Sequence, residues 1–463
     1  MRKDAGVDGD AQRLSQLGWM LFLKIFSEKE KEWYLTVDNY KSPIRKDLQW
    51  DNWAADDEGI TGDELLDFVN NTLFPRLKDL RVSDKNDKGL MVKGVFEDSY
   101  NYMKSGTLLR QVINKINSSI KLTTKADRHA FNDIYEQILR DLQSAGNSGE
   151  FYTPRPVTQF VVEMVNPKLG ETVLDPACGT AGYLTNVVDH ITTHEKVKTI
   201  DDWQQLQSSI HGVEKKPLPH MLATTNMILH GINVPSIERD NLLERSWKEW
   251  TNKERVEVIV TNPPFGGMEE DGIEDNFPTQ YRTRETANLF MALIIHLLKD
   301  NGRCGLVLPD GFLFGEGVAT RIKETLLDKC NLHTIVRLPN GVFAPYTGIK
   351  TNLLFFTKGT PTKEVWYFEH PYPAGVKTYN KTKPINVKEF DLEKAWWKKR
   401  VENEYAWKVS ANEIKKRGYN LDIKNPNIKA KDKEFTSDVL LEKLKKSFDQ
   451  SLKLLNNLKG ELS

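Results

Sequence analysis

From about residue 150 onward, short apolar runs that end in Gly, Asp, Asn or Pro alternate with stretches of helical periodicity. No other feature restricts the fold so strongly, because this alternation is what a parallel α/β sheet requires. Thr172-Val173-Leu174 ends at Asp175, and Ile210-His211-Gly212-Val213 ends at Glu214. Val256 to Val260 ends at Thr261-Asn262, Gly305-Leu306-Val307-Leu308 ends at Pro309-Asp310, and Leu353-Leu354-Phe355-Phe356 is a later strand. In open α/β sheets, ligands bind at the carboxyl ends of the strands. Polar residues recur at that end of strand after strand, so one site is expected there.

The flanking regions read differently. Up to roughly residue 145 the pattern is helical: Leu14, Leu17, Leu21 and Ile25 recur at helical spacing, and Asp63 to Leu80 and Ser105 to Leu122 repeat that character. Residues 357 to 435, rich in Lys, Trp and Pro, read as irregular. From Ser437 a helix returns with Leu441, Leu444, Phe448, Leu455 and Leu458, a heptad seam interrupted at Ser451. So narrow a stripe needs a partner, either its own domain or another subunit. The expected organisation is a helical N-terminal domain over 1–145, an α/β domain carrying the site over 146–430, and a C-terminal helical tail for docking over 431–463.

Composition adds limits. Lys plus Arg and Asp plus Glu are each 65, so the net charge is zero. Any grip on nucleic acid must therefore come from a local field or from a partner. Cys178, Cys304 and Cys330 have no spacing that implies disulfides or a metal site, and the nine histidines have none either. The N-terminus lacks the apolar stretch of a signal peptide, and the apolar run Leu289 to Leu298 is too short to span a bilayer. The reading is cytoplasmic, with no membrane association and no metal.

Asp175-Pro176-Ala177-Cys178-Gly179-Thr180-Ala181-Gly182 lies between a strand and a helix, where glycines let backbone approach a ligand. No Lys-Ser/Thr pair follows, which argues against a phosphate-cradling loop. The next strand-terminal acid, Glu214, comes about 40 residues after Asp175, where a dinucleotide fold places its ribose acid roughly 20 residues on. S-adenosyl-L-methionine has no phosphate and suits this set. Asp175 and the loop Gly179, Thr180, Ala181 and Gly182 face its methionine end, Glu214 its ribose hydroxyls, and Asp240 its adenine amine.

Asn262-Pro263-Pro264-Phe265 is the expected catalytic centre. Consecutive prolines fix φ and lack amide hydrogens, so their carbonyls are rigid acceptors. An exocyclic aromatic amine is a poor nucleophile because its lone pair is delocalised. The Asn262 side-chain oxygen and the Pro263 carbonyl, gripping both amine hydrogens, favour a pyramidal nitrogen aimed at a sulfonium methyl, while Phe265 stacks the base. Asn262 thus borders the cofactor as well. Positioning and charge neutralisation suffice, and a base in a duplex must be flipped out. Cys178, in the cofactor loop, reads as a packing residue. The tetrapeptide alone leaves other planar amines or amides open, such as an RNA base or a protein glutamine, and a non-enzymatic cofactor-sensing module remains a third reading.

Taken in order, these segments resemble the modification (methyltransferase) subunits of type I restriction–modification systems, which are adenine-specific DNA methyltransferases. Gly149-Glu150-Phe151-Tyr152-Thr153-Pro154-Arg155-Pro156 resembles the family's segment before the cofactor loop. Arg337 to Phe343 with Tyr346 to Phe356, and Ala406 to Val409 continued by Arg417 to Asp422, resemble the family's later loop and strand, and Arg13 to Tyr34 resembles its helical N-terminal domain. The resemblance implies a class I S-adenosylmethionine-dependent methyltransferase fold, a mostly parallel, doubly wound seven-stranded sheet with an all-helical N-terminal domain and a C-terminal helix. It adds Glu150, Phe151, Tyr152, Thr153, Pro154 and Arg155 to the cofactor enclosure. It also implies double-stranded DNA with a flipped adenine as substrate, two modification subunits on one DNA specificity subunit, and room for a restriction subunit. The acidic stretch 267–285 is expected to be a mobile lid.

Overall fold

The computed structural model describes residues 1–82, 88–120, 131–132, 134–139, 153–427, 441–442, 444–452 and 455. Nine strands form one sheet in the order β3-β2-β1-β4-β5-β7-β6-β8-β9. They are β1 Val173–Asp175, β2 Ile210–Val213, β3 Ser236–Glu238, β4 Val256–Thr261, β5 Leu298–Pro309, β6 Cys330–Arg337, β7 Thr351–Lys358, β8 Glu364–Glu369 and β9 Ala406–Ser410. β3, β2, β1, β4 and β5 are mutually parallel, and β7 inserts antiparallel between β5 and β6. The strand order reverses between β1 and β4, which is the switch point where a crevice opens.

The sheet is two strands wider than the seven expected. The region read as irregular, 357–435, contains β8, parallel to β6, and β9, antiparallel to β8. In β9 the pattern Ala406-Trp407-Lys408-Val409-Ser410 buries three side chains and exposes Lys408 and Ser410. Lys and Trp on a sheet edge mask the alternation that would mark a strand. The other seven strands keep the expected class I methyltransferase fold.

The apolar runs form strands because both sheet faces are covered. Along β4, Val258 and Val260 join one apolar cluster and Ile259 the other; along β5, Val307 opposes Leu306 and Leu308. This is the two-residue alternation of a pleated strand with core on both sides. Helices Arg155–Val165 and Gly182–His194 cover one face, and Thr286–Leu297 and Val318–Lys329 the other.

The N-terminal region is helical in its described residues, led by the long helix Gly9–Thr36. Its core is aromatic, with Trp19, Phe22, Phe26, Trp33, Trp50, Phe74 and Phe96 buried together. The buried guanidinium of Arg110 donates to the carbonyls of Trp53, Ala54, Asp56 and Ile60, serving chain ends that no helix satisfies. This core does not stop at the sheet domain. Met221, Leu222 and Ile228, from helix Pro217–Leu229, belong to it. Trp33 Nε1 donates to Asn233 Oδ1 at 3.0 Å, and Tyr135 donates to the Leu222 carbonyl at 3.1 Å.

Described residues between 441 and 455 are helical, with Leu441, Leu444, Phe448, Leu452 and Leu455 56–64% exposed. Leu452 extends the stripe where Ser451 interrupts the heptad, since the Ser451 hydroxyl donates back to the Ser447 carbonyl at 3.0 Å. Leu458 lies outside the described residues, and among those residues no helix is long and apolar enough to cross a membrane.

Gly18 is the close-approach point between helices Gly9–Thr36 and Pro217–Leu229: a Cβ there would lie 2.9 Å from Met221 Sδ. Gly18→Ala should be tolerated through movement of that flexible thioether. Gly18→Val should destabilise by about 1–3 kcal/mol, as overpacked cores do, seen as a lower urea midpoint.

Candidate active site

The loop after β1 is held by carboxylates. Asp175 is buried and accepts from the Ala177 amide at 3.2 Å. Glu214, at the end of β2, reaches across: its Oε2 accepts the Gly179 amide at 3.0 Å and its Oε1 the Lys216 amide at 2.8 Å. Gly179 takes φ +54°, open to glycine without penalty, and Ala181 takes φ +64° as it starts the helix Gly182–His194. Asn226, itself buried, donates to the Thr180 carbonyl at 2.9 Å. The loop's amides and carbonyls are thus fixed before any ligand arrives.

Burial, with the neighbouring Glu214 charge acting in the same direction, pushes Asp175 up to about 7 against the hydrogen bonds from Thr261 and Ala177. The Cys178 thiol is buried and held protonated by desolvation and by the charges of Asp175 and Glu214. It packs against Gly212, as expected of a small packing residue.

Asn262-Pro263-Pro264-Phe265 leaves β4 at the same edge. Asn262 Nδ2 donates to Thr153 Oγ1 at 2.8 Å, which orients the amide and turns its oxygen edge away from Thr153. Phe265 is buried, and its ring meets the buried Phe343 edge-on, 6.0 Å between centroids at 68°. Thr153, Asp175, Gly179, Thr180, Gly182 and Asn262 line a small cavity of about 40 Å³. Gly179, Thr180, Glu214, Asp240, Asn262, Pro263, Pro264 and Phe265 line an adjoining one of about 430 Å³. Three strand ends and the tetrapeptide therefore converge as the sequence suggests.

Three expected cofactor residues are placed elsewhere. Arg155 lies behind the loop: its Nη1 donates to the Gly182 carbonyl at 2.7 Å, and its Nε to Glu136 at 2.7 Å. A Cβ at Gly182 would strike that guanidinium at 2.7 Å, so the glycine makes room for Arg155 rather than for a ligand. Ala181 is fully buried in the core, and Pro154 caps the helix Arg155–Val165. Glu150, Phe151 and Tyr152 lie outside the described residues.

Sequence reading missed one wall. Ala11 and Leu14 of helix Gly9–Thr36, with Leu218, Pro219 and Leu222, close the larger cavity on the side facing the N-terminal region. Leu14 was readable only as a helical core position, because nothing local tells which neighbour it faces.

The segment expected as a lid is anchored. The Thr286 amide donates to the Gly267 carbonyl at 3.0 Å, and the Thr286 hydroxyl to Glu269 at 2.9 Å. Ile273, Phe277 and Tyr281 are buried in the core. Met268, 65% exposed, stays at the cavity's lip. The later motif also braces the site. Arg337 pairs with Asp422 at 2.6 Å, and the Leu421 amide donates to the Leu313 carbonyl at 2.9 Å.

Residues 126–435 match the N-6 DNA Methylase family, and residues 1–116 match the HsdM N-terminal domain. The type I restriction enzyme EcoEI methylase subunit of Escherichia coli is 62% identical over 435 residues, spanning 92% of this chain and 88% of that protein. The EcoKI methylase subunit of Escherichia coli K12 is 30% identical over 391 residues, 79% of this chain and 68% of that one. Among solved structures, a type I restriction enzyme modification subunit from Vibrio vulnificus YJ016 superposes with a TM-score of 0.84 at 45% identity, covering 92% of this chain and 94% of that one. A chain from a structure addressing complex assembly of a type I R-M system gives 0.81 at 37% identity, covering 100% and 95%. The chain belongs to the N-6 DNA methylase family, among the methylase subunits of type I restriction enzymes, and is an adenine-specific DNA methyltransferase.

Proposed function

We propose that the joined cavities bind S-adenosyl-L-methionine beside a flipped adenine, and that Asn262-Pro263-Pro264-Phe265 presents the base amine for methylation. The observation that carries this is the convergence of Asp175, Glu214, Asp240 and Asn262 on one crevice at the strand ends. The donor set fits the cofactor. Carboxylates at the ends of β1, β2 and β3 suit an ammonium, two hydroxyls and an amine, and the loop has no cation cradle for a pyrophosphate. Glu214 accepts two backbone amides, one on each carboxylate oxygen, which holds its carboxylate at the strand end where a ribose would lie. Bound there, S-adenosylmethionine supplies a methyl group on a positively charged sulfur.

The chain's own residues do the rest. The Asn262 oxygen and the Pro263 carbonyl accept the two amine hydrogens, drawing the nitrogen toward a pyramidal, nucleophilic form. Thr153 holds the Asn262 amide in the orientation this requires. Phe265, braced edge-on by Phe343, gives the base a flat wall. Ala11 and Leu14 help to exclude water, which strengthens each polar contact.

A neutral chain needs help to hold a polyanion. We assign the choice of site to a separate specificity subunit carrying two copies of this chain, with a restriction subunit able to join, in the cytoplasm where the DNA lies. The exposed stripe Leu441, Leu444, Phe448, Leu452 and Leu455 is suited to a helix of that specificity subunit. The organisation into 1–145, 146–430 and 431–463 belongs to the same proposal.

Asn262→Ala should reduce methyl transfer to unmethylated DNA by about 100-fold or more, the scale of losing a positioned transition-state contact. Cofactor affinity by calorimetry should stay within a few-fold. Retained transfer would remove Asn262 from the mechanism.

Asp175 gives a pH signature. Its folded pKa lies above the unfolded value of about 3.9, so the free protein keeps a proton that the unfolded chain has lost. Its contribution to stability therefore falls as pH rises from about 4 to the folded value near 7, then levels off. A bound ammonium favours the carboxylate. Cofactor affinity should then rise toward pH 7, by up to about tenfold per unit, and flatten above it, while Asp175→Asn should show no such step.

Truncation after residue 436 should leave cofactor binding intact but abolish co-purification with the specificity subunit. Unchanged assembly would refute the docking role of the tail.

A further inference from the structure

At the opposite edge of the sheet from the catalytic cavity, a second cavity of about 210 Å³ collects cations. Arg255, Lys329 and Lys358 line it together with His296, Trp247 and Tyr281, and no carboxylate is in its wall. Three of the nearby acids are engaged elsewhere, while the exposed Asp300 acts on Lys358 through its charge. Glu254 accepts from Arg245 at 3.2 Å and from the Thr251 hydroxyl at 2.6 Å, Asp328 pairs with Lys415 at 2.8 Å, and Glu257 pairs with Lys299.

The cations are held in distinct ways. Lys358 Nζ donates to the carbonyls of Ile295 at 2.8 Å, His296 at 3.3 Å and Leu298 at 2.7 Å. It caps the helix Thr286–Leu297 and contributes charge to the cavity without free hydrogens. Arg255 is half-buried, and its Nε is inaccessible to solvent yet has no acceptor among the described residues. His296 Nε2 is in the same state, in a ring stacked on Trp247 at 4.1 Å. Burial and the three surrounding cations pull the His296 pKa down to about 4, so near neutrality the ring is uncharged and can present an N–H.

Leaving buried donors unmade is costly, and like charges gathered in a half-enclosed space repel. A doubly charged oxyanion relieves the repulsion, through charge-assisted hydrogen bonds from the cavity-facing guanidinium nitrogens and an ammonium. We propose that this cavity is a binding site for a phosphate or phosphomonoester dianion, held by Arg255 and Lys329 in the field of Lys358. Substrate DNA is a poor candidate for the occupant. Arg255 immediately precedes β4 and Asn262 immediately follows it, so the full strand, about 20 Å at roughly 3.3 Å per residue, separates this site from the flipped base.

The test uses the full chain with its catalytic cavity saturated by S-adenosylhomocysteine. Inorganic phosphate and glycerol phosphate are titrated by calorimetry at ionic strength kept constant with chloride. Saturable one-to-one binding is expected, weakened at least tenfold by Arg255→Gln, a few-fold by Lys329→Gln, and little by Arg255→Lys. Tighter binding of one probe tells whether the natural anion is free or esterified. Lys329 is exposed with no ion pair among the described residues, so Lys329→Gln leaves the fold intact and decides the matter should Arg255→Gln fail to fold. No saturable binding, or equal affinity in wild type and both neutral variants, would overturn the proposal.

Discussion

The site depends first on the Glu214 carboxylate. By accepting the amides of Gly179 and Lys216, it ties the loop after β1 to the turn after β2. Both bonds are charge-assisted, so they hold the glycine loop in one shape. That carboxylate also raises the cost of ionising Asp175, which is buried beside it. Two acids share a small volume, and the second is poised to lose its proton when a cation arrives. Structural support and ligand recognition are here one electrostatic arrangement.

The second dependence is between regions distant in sequence. Helix Pro217–Leu229 lies on the sheet, yet contributes Met221, Leu222 and Ile228 to the aromatic core of the N-terminal helices. Asn226 on the same helix holds Thr180 of the cofactor loop, and Leu222 lines the cavity next to Ala11 and Leu14. Arg155 adds a further link, running from Glu136 to Gly182. The N-terminal helices are therefore a wall of the active site. A rearrangement of that wall would act on the cofactor loop through close-packed contacts.

Legibility followed the range of the forces involved. The inner strands were readable because a strand buried on both faces must be a short apolar run, and its carboxyl end must return to polar chain. Hence Asp175, Glu214 and Asn262 could each be placed at a strand end without a structure. β8 and β9 escaped because these outer strands keep exposed residues, Glu364 in β8 and Lys408 and Ser410 in β9, and Lys408 and Trp366 read as loop composition. The Phe265–Phe343 pair was present only as two motifs far apart. Arg155 shows the reverse error: a motif placed it at the cofactor, and an ion pair to Glu136 turned its side chain away. The acidic stretch after Phe265 read as a lid because Glu269, Glu270, Asp271, Glu274 and Asp275 dominate its composition, while its anchors Ile273, Phe277 and Tyr281 are only three apolar residues at four-residue spacing.

The sequence by itself determined the fold class, the edge of the sheet where the polar strand ends gather, and the tetrapeptide proposed to perform the chemistry. All three rest on local periodicity and on backbone restriction at proline and glycine, which neighbours in the chain suffice to express. Tertiary structure alone decided which surfaces meet. It made Ala11 and Leu14 walls of the cavity, turned Arg155 into a brace, and gathered Arg255 from a loop, Lys329 from a helix end and Lys358 from a strand end into one cationic cavity. Such contacts depend on how elements distant in the chain pack in space, and no pattern of neighbouring residues encodes that.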